Sequence, residues 1–118
     1  MKFMKNALVA AAFATAALSA SAQEQFFPAL SYRVGPYAAG GTGFFGGVID
    51  YLSLLNAQGG INGVKMTWEE CETEYNATRG VECYERLKKS RGGATMVEPL
   101  STGIAYGLLD RVAQDKIP

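Results

Sequence analysis

Apolar positions along this chain change rhythm several times, and the changes mark out its elements. Gln25 to Tyr32 is a short β-prone run, with Pro28 better suited to a strand start or an irregular entry than to a strand middle. Arg33 to Gly41 is a glycine-rich loop. From there the period lengthens: Phe45, Val48, Ile49, Leu52 and Leu55 recur at three- and four-residue steps, which predicts a helix with Thr42 as its N-cap. Gly46 and Gly47 inside it each cost about 1 kcal/mol relative to alanine, which close packing would offset. Val64 to Trp68 is again β-prone. Asn76 is suited to cap a second helix from Arg79 to Ser90, with Val81, Tyr84, Leu87 and Cys83 inward and Glu82, Glu85, Arg86, Lys88 and Lys89 outward. Ala94 to Val97 predicts a third strand, and Ala105, Leu108, Leu109 and Val112 predict a third helix.

The joint Leu55–Lys65 sets the architecture. Gly59 allows a left-handed helix end without a Cβ penalty, and Asn62-Gly63 tolerates a second tight reversal. The first helix and second strand are thereby adjacent through a short, sharply cornered loop. The order βαβαβα calls for a parallel sheet with right-handed crossovers and helices on both faces, a three-layer α/β/α sandwich.

The first 22 residues belong to a different class. Lys2 and Lys5 precede the apolar run Ala7–Leu18, and Ala20-Ser21-Ala22 places small residues where a signal peptidase reads, so cleavage is expected before Gln23. The run is shorter than the ~20 residues a membrane-spanning helix needs. Gln23, where a lipoprotein would carry cysteine, points to a free exported domain. Removing 22 residues from 118 leaves 96, enough for one modest core. Nine basic residues then face eleven acidic ones, and no basic stripe argues for nucleic acid.

Composition narrows the chemistry. The chain has no histidine, which removes the commonest general base and metal ligand. The glycines at 35, 40, 41 and 43 miss the dinucleotide-binding spacing, and no Gly-Lys-Ser/Thr follows them. The glutamates of Glu69–Glu74 lack the pattern of a calcium loop and read as a solvated segment; no metal or other cofactor is expected. Cys71 and Cys83, two cysteines in an exported chain with eleven residues between them, are expected to form a structural disulfide.

In an open parallel sheet, ligands bind beyond the carboxyl ends of the strands where strand order reverses. Ser101 and Thr102 stand at the start of the third helix, where hydroxyls and unpaired N–H groups suit a carboxylate or phosphate. A plain N-cap is the competing role. Tyr37 and the backbone to Gly40 form a weaker second element.

Gly35-Pro36-Tyr37-Ala38, the string from Leu55 to Lys65 with its Asn-Ala-x-Gly-Gly-Ile-Asn-Gly core, and Pro99-Leu100-Ser101-Thr102-Gly103 together resemble the amino-terminal lobe of substrate-binding proteins of ABC transporters. The branched-chain amino acid (Leu/Ile/Val) class is the nearest in pattern. The resemblance covers essentially the whole mature chain. It implies a type I periplasmic binding protein, with residues 23–118 a partial N-terminal lobe, since family members are some three times longer. It also implies capture of a small-molecule solute, an amino acid or other small carboxylate, for an ABC permease in the periplasm, without catalysis. By the same resemblance Ser101, Thr102 and Gly103 grip the solute's carboxylate, while Tyr37 and Ala38 line the facing side. Gly40 and Gly41 stand where some amino-acid binders carry a bulky side chain, which leaves aromatic acids, amides and urea-like compounds open as solutes. The same architecture also serves as a ligand-sensing domain of signalling receptors. An exported enzyme with Ser101 as nucleophile is disfavoured by the missing Gly-x-Ser-x-Gly elbow.

Overall fold

The computed structural model describes residues 24–118, and the expected leader lies outside them. The elements in order are β1 (Gln25–Ser31), α1 (Ala38–Ala57), β2 (Met66–Glu72), α2 (Ala77–Leu87), a 3-10 turn at Ser90–Gly92 and α3 (Thr102–Asp115). β1 and β2 pair in parallel, Gln25 opposite Met66 through Ser31 opposite Glu72. On the other edge of β1, Ala94 makes a parallel bridge to Phe26. The spatial order is therefore β2, β1, then the Ala94 segment. The chain reverses direction across the sheet between its first and second crossovers. Keeping the same crossover hand through such a reversal requires consecutive helices on opposite faces. The side chains obey: Phe26 and Leu30 share a core with Tyr84 and Leu87 of α2 and Ile104 and Leu108 of α3, whereas Phe27 and Trp68 face Phe45, Val48 and Leu52 of α1. The result is an α/β fold with a parallel sheet in three layers.

The joint after α1 is built as its sequence predicts. The N–H of Gly60 bonds to the carbonyl of Leu55 at 2.8 Å and that of Gly59 to Asn56 at 3.2 Å, with Gly59 at φ 101°, the paired bonds of a Schellman end. Asn62 and Gly63, at φ 52° and 81°, close a tight reversal in which Ile61 and Val64 exchange two backbone bonds of 2.9 Å. Asn56 then clamps the strand beyond: its Nδ2 donates to the Met66 carbonyl at 2.6 Å and its Oδ1 accepts from the Met66 N–H at 2.8 Å. Asn76 caps α2, its Oδ1 accepting from the Arg79 N–H at 3.0 Å. The Cys71–Cys83 disulfide is formed, with a Cα–Cα distance of 5.7 Å, and pins α2 to the end of β2.

Four expectations are corrected. α1 starts at Ala38 rather than after Thr42, with Tyr37 in the cap position and no side-chain cap bond. The helix therefore runs through Gly40-Gly41, and a Cβ on Gly41 would stand 2.0 Å from the Tyr32 carbonyl oxygen, so glycine there permits the close seating of α1 on the end of β1. β2 begins at Met66 and continues through the glutamates read as a loop. As an edge strand it points them outward, and Arg33 offsets their charge, its Nε bonding Glu70 at 2.6 Å and its backbone N–H bonding Glu72 at 2.7 Å. The third strand shrinks to the Ala94 bridge and the 2.8 Å bond from the Thr95 N–H to the Phe26 carbonyl. Two residues later, the N–H of Val97 instead meets the carbonyl of Pro118 at 2.9 Å. Finally, α3 buries Ile104 and Leu108, while Ala105 and Leu109 face outward.

α2 and α3 are locked at their far ends. Asp115 Oδ2 accepts from the Tyr84 hydroxyl at 2.9 Å and from Lys88 Nζ at 2.7 Å, and Glu85 takes Lys88 at 2.7 Å and Arg111 at 3.2 Å. Burial and the bond to Asp115 push the Tyr84 phenol up to about 12. Hydrogen bonds to Asp115 and Glu85 push Lys88 up to about 12, and Lys88 holds Asp115 below the usual carboxylate range.

Candidate functional site

Three turns meet at the carboxyl ends of the strands. The first carries Tyr37 at the mouth of α1. The second, after β2, is organised by buried Thr73, whose N–H and hydroxyl both donate to the Ser31 carbonyl, at 2.7 and 2.9 Å. The Thr73 hydroxyl oxygen also accepts from the Tyr75 N–H at 3.2 Å. Glu74 and Tyr75 follow in the left-handed region, at φ 51° and 60°, a conformation rare for bulky residues. The third turn holds Leu100, also left-handed at φ 46°. Its N–H donates to Glu98 Oε1 at 2.8 Å and its carbonyl accepts from the Tyr32 hydroxyl at 3.3 Å. Burial raises the Tyr32 phenol above its ordinary value, with nearby Tyr75 adding to the effect, so it stays a neutral donor in this bond.

Aromatic rings join the first two turns, and the Tyr32 hydroxyl ties them to the third. Tyr75 stands edge-on to Tyr32 at 4.9 Å and lies tilted against Tyr37 at 4.3 Å between ring centroids. Tyr75 also lines a cavity of about 420 Å³ together with Ser101, Thr102, Glu98, Tyr106 and Leu109. Tyr37 and Ser101 thus lie at one end of the sheet, joined through Tyr75.

Ser101 caps α3, its Oγ accepting from the Ile104 N–H at 3.4 Å. It is 5% exposed, and among the described residues its own proton goes to no acceptor. Thr102 and Gly103 are exposed first-turn residues whose N–H groups have no intrahelical partner. A Cβ on Gly103 would meet nothing, so the backbone there is open. With no acidic residue in the first turn of α3, the positive end of the helix dipole faces the cavity unopposed from its own helix. Tyr37 is 56% exposed. Ala38, half-buried, is tied through its N–H to the Gly35 carbonyl at 3.2 Å. Arg33 is engaged by Glu70 and Glu72 and Arg79 by Glu74, which leaves hydroxyls and backbone N–H groups as the anion donors at this end. Among the described residues no group of three His, Cys, Asp or Glu could hold a metal ion.

From the sequence, Tyr75 and Glu98 fall in the loops after the second and third strands, where such a sheet binds ligands, but neither is singled out, and Tyr32 and Tyr106 carry no assignment. The one available signal was position: Tyr75 follows the second strand as Tyr37 follows the first. A second cavity of about 230 Å³ between α1 and the sheet is lined by Phe27, Phe44, Val48, Leu52, Trp68 and Met96. Its wall is almost wholly apolar and offers no comparable chemistry.

Residues 24–118 match the family model for periplasmic binding proteins. Among solved structures, a protein described as an ABC transporter permease from the Pseudomonas fluorescens group is 47% identical, with TM-score 0.77, over 81% of this chain and 24% of that one. A fatty acid ABC transporter substrate-binding protein from Thermomonospora curvata is 16% identical (TM-score 0.69, 80% of this chain and 24% of that one) and shares the fold. So does a substrate-binding periplasmic protein from Ralstonia solanacearum, at 20% identity (TM-score 0.67, 80% and 27%). The chain spans about a quarter of the length of these structures. No curated protein matches it. With its reversed strand order, its ring-lined cavity at the carboxyl ends of the strands and a family match over the whole described region, the chain belongs to the periplasmic binding protein family.

Proposed function

We propose that this chain supplies part of the N-terminal lobe of an exported, two-lobed substrate-binding protein that captures an amino acid or other small carboxylate for an ABC permease. Ser101, Thr102 and Gly103 hold the carboxylate, through hydroxyls and the open N–H groups of the first turn of α3. Tyr37 and Ala38 line the facing side. The family's location and the apolar run before Ala20-Ser21-Ala22 support a periplasmic protein with a cleaved leader. The observation that carries the reading is that Tyr75 packs against Tyr37 and lines the cavity at the Ser101 helix mouth, which sets the Tyr37 turn and that mouth at one end of the sheet.

The test is calorimetric titration of the full-length protein with a panel of amino acids and small carboxylates, repeated on Ser101→Ala and Thr102→Val. Loss of one charge-assisted bond, about 1.5–3 kcal/mol, predicts roughly ten- to hundredfold weaker binding for Ser101→Ala with the fold intact by circular dichroism. Unchanged affinity in both variants would refute the assignment.

A further inference from the structure

The cavity at the mouth of α3 separates its chemistry by region. Polar donors gather at Ser101 and Thr102, and much of the remaining wall is carbon, from Leu100, Ala105 and Leu109 and the rings of Tyr75 and Tyr106. The Tyr75 ring is held in place by its neighbours: Tyr32 meets it edge-on at 90° and Tyr37 supports it at an interplanar angle of 32°. Two consecutive non-glycine residues in the left-handed region, Glu74 and Tyr75, are needed to bring the ring there, a local cost that persists only where the surroundings enforce it. A preset, partly exposed ring on the wall of a small cavity selects another π-system, because ring pairs gain from offset or edge-on contact beyond the area they bury. An aliphatic side chain would use the area alone. The charge on the wall narrows the class further. Glu98, tied to the Leu100 N–H, lines the same cavity, so a second carboxylate on the solute would meet a like charge.

We propose that the solute is an aromatic monocarboxylate whose ring lies against Tyr75 while its carboxylate sits at Ser101 and Thr102. This rests on the solute-capture reading above and adds the class of solute. Tyr75 is then the specificity-determining residue, and Tyr37 packs against its ring.

The experiment is calorimetry on the full-length protein with benzoate, phenylacetate and 3-phenylpropionate against cyclohexanecarboxylate, and with terephthalate as the dianion. At least one aromatic monoacid is expected to bind about tenfold more tightly than the saturated acid, matching the roughly 1.4 kcal/mol that a good ring pair adds, and terephthalate is expected to bind more weakly than benzoate. Tyr75→Leu should remove the aromatic preference, bringing the affinities for the aromatic monoacids and for cyclohexanecarboxylate to within about twofold of each other. Tyr75→Phe should keep the preference, which guards against a merely misfolded variant. Ser101→Ala should weaken aromatic and saturated acids alike. Equal binding of both kinds of acid, or a preference that survives Tyr75→Leu, overturns the aromatic assignment while sensitivity to Ser101→Ala preserves solute capture. If none of these acids binds the wild type, the aromatic assignment falls. Carboxylate binding that ignores Ser101→Ala refutes the capture reading and this inference with it.

Discussion

Gly80 is where the stability of this fold and the position of its site meet. It lies on the buried face of α2, and a Cβ there would stand 2.5, 2.7 and 2.8 Å from Cγ2, Cγ1 and Cδ1 of Ile104. Carbon atoms prefer separations of about 3.5–4.0 Å, so Gly80→Ala intrudes by roughly 1 Å on a side chain with no exposed surface. Ile104 is β-branched with a stiff χ1, and it cannot swing aside cheaply. Overpacking of this kind costs about 1–3 kcal/mol, against the roughly 1 kcal/mol that alanine gains over glycine in a helix. Packing wins, and Gly80→Ala is expected to destabilise by about 1 kcal/mol. Gly47→Ala in α1 provides the control. Nothing lies within 4 Å of its Cβ, so helix propensity acts alone and stabilises by about 1 kcal/mol. The two variants should differ by about 2 kcal/mol in unfolding free energy. Thermal and urea unfolding of both would measure it. Ile104→Ala removes the three clashing atoms, so the Gly80→Ala penalty should vanish in that background. A penalty of equal size in both backgrounds, or a Gly80→Ala variant as stable as Gly47→Ala, would refute the reasoning. The Ile104 N–H is the one Ser101 caps, so Gly80→Ala should also disturb the helix mouth and weaken the solute binding proposed above.

The disulfide between Cys71 and Cys83 closes a loop of about a dozen residues, and the chain-entropy estimate gives it about 3 kcal/mol. Denaturant unfolding with and without reductant should show a loss of that order, and alkylation of the non-reduced protein should label no cysteine. The Tyr84–Asp115–Lys88 cluster sets the pH limits of the α2–α3 contact. Tyr84 and Lys88 both rise to about 12 in the fold, so their contribution is complete below their unfolded values near 10 and 10.5. It is lost as pH rises from there through about 12. Asp115 is lowered, so its contribution is present above its unfolded value near 4 and lost as pH falls through its folded one. Asp115→Asn should flatten the alkaline loss, although Glu85 still holds Lys88. Wild-type and variant unfolding midpoints that run parallel from pH 9 to 12 would contradict the assignment.

The local joints were legible in the residues themselves. Gly59-Gly60, Asn62-Gly63 and the caps at Asn76 and Ser101 are dictated by short-range backbone chemistry, because left-handed φ and orphan helix N–H groups admit few residue types. The alternation of helical and β-prone runs was enough to imply a parallel α/β sheet, and cysteine spacing enough to pair Cys71 with Cys83. What failed were the decisions that depend on neighbours far along the chain. Glu69 to Glu72 belong to β2 because Pro28–Ser31 offer backbone partners and Arg33 offsets the charge. α1 begins at Ala38 and passes through Gly40-Gly41, and it can seat against Tyr32 only because Gly41 has no Cβ. The Tyr32–Tyr37–Tyr75 cluster was invisible because its members come from two turns and lie up to 43 residues apart, and it is the parallel pairing of β1 with β2 that brings those turns to one end of the sheet. Sequence by itself determined which conformations each segment could adopt; tertiary structure decided which side chains share a cavity, since ring contacts and burial depend on proximity in space rather than along the chain.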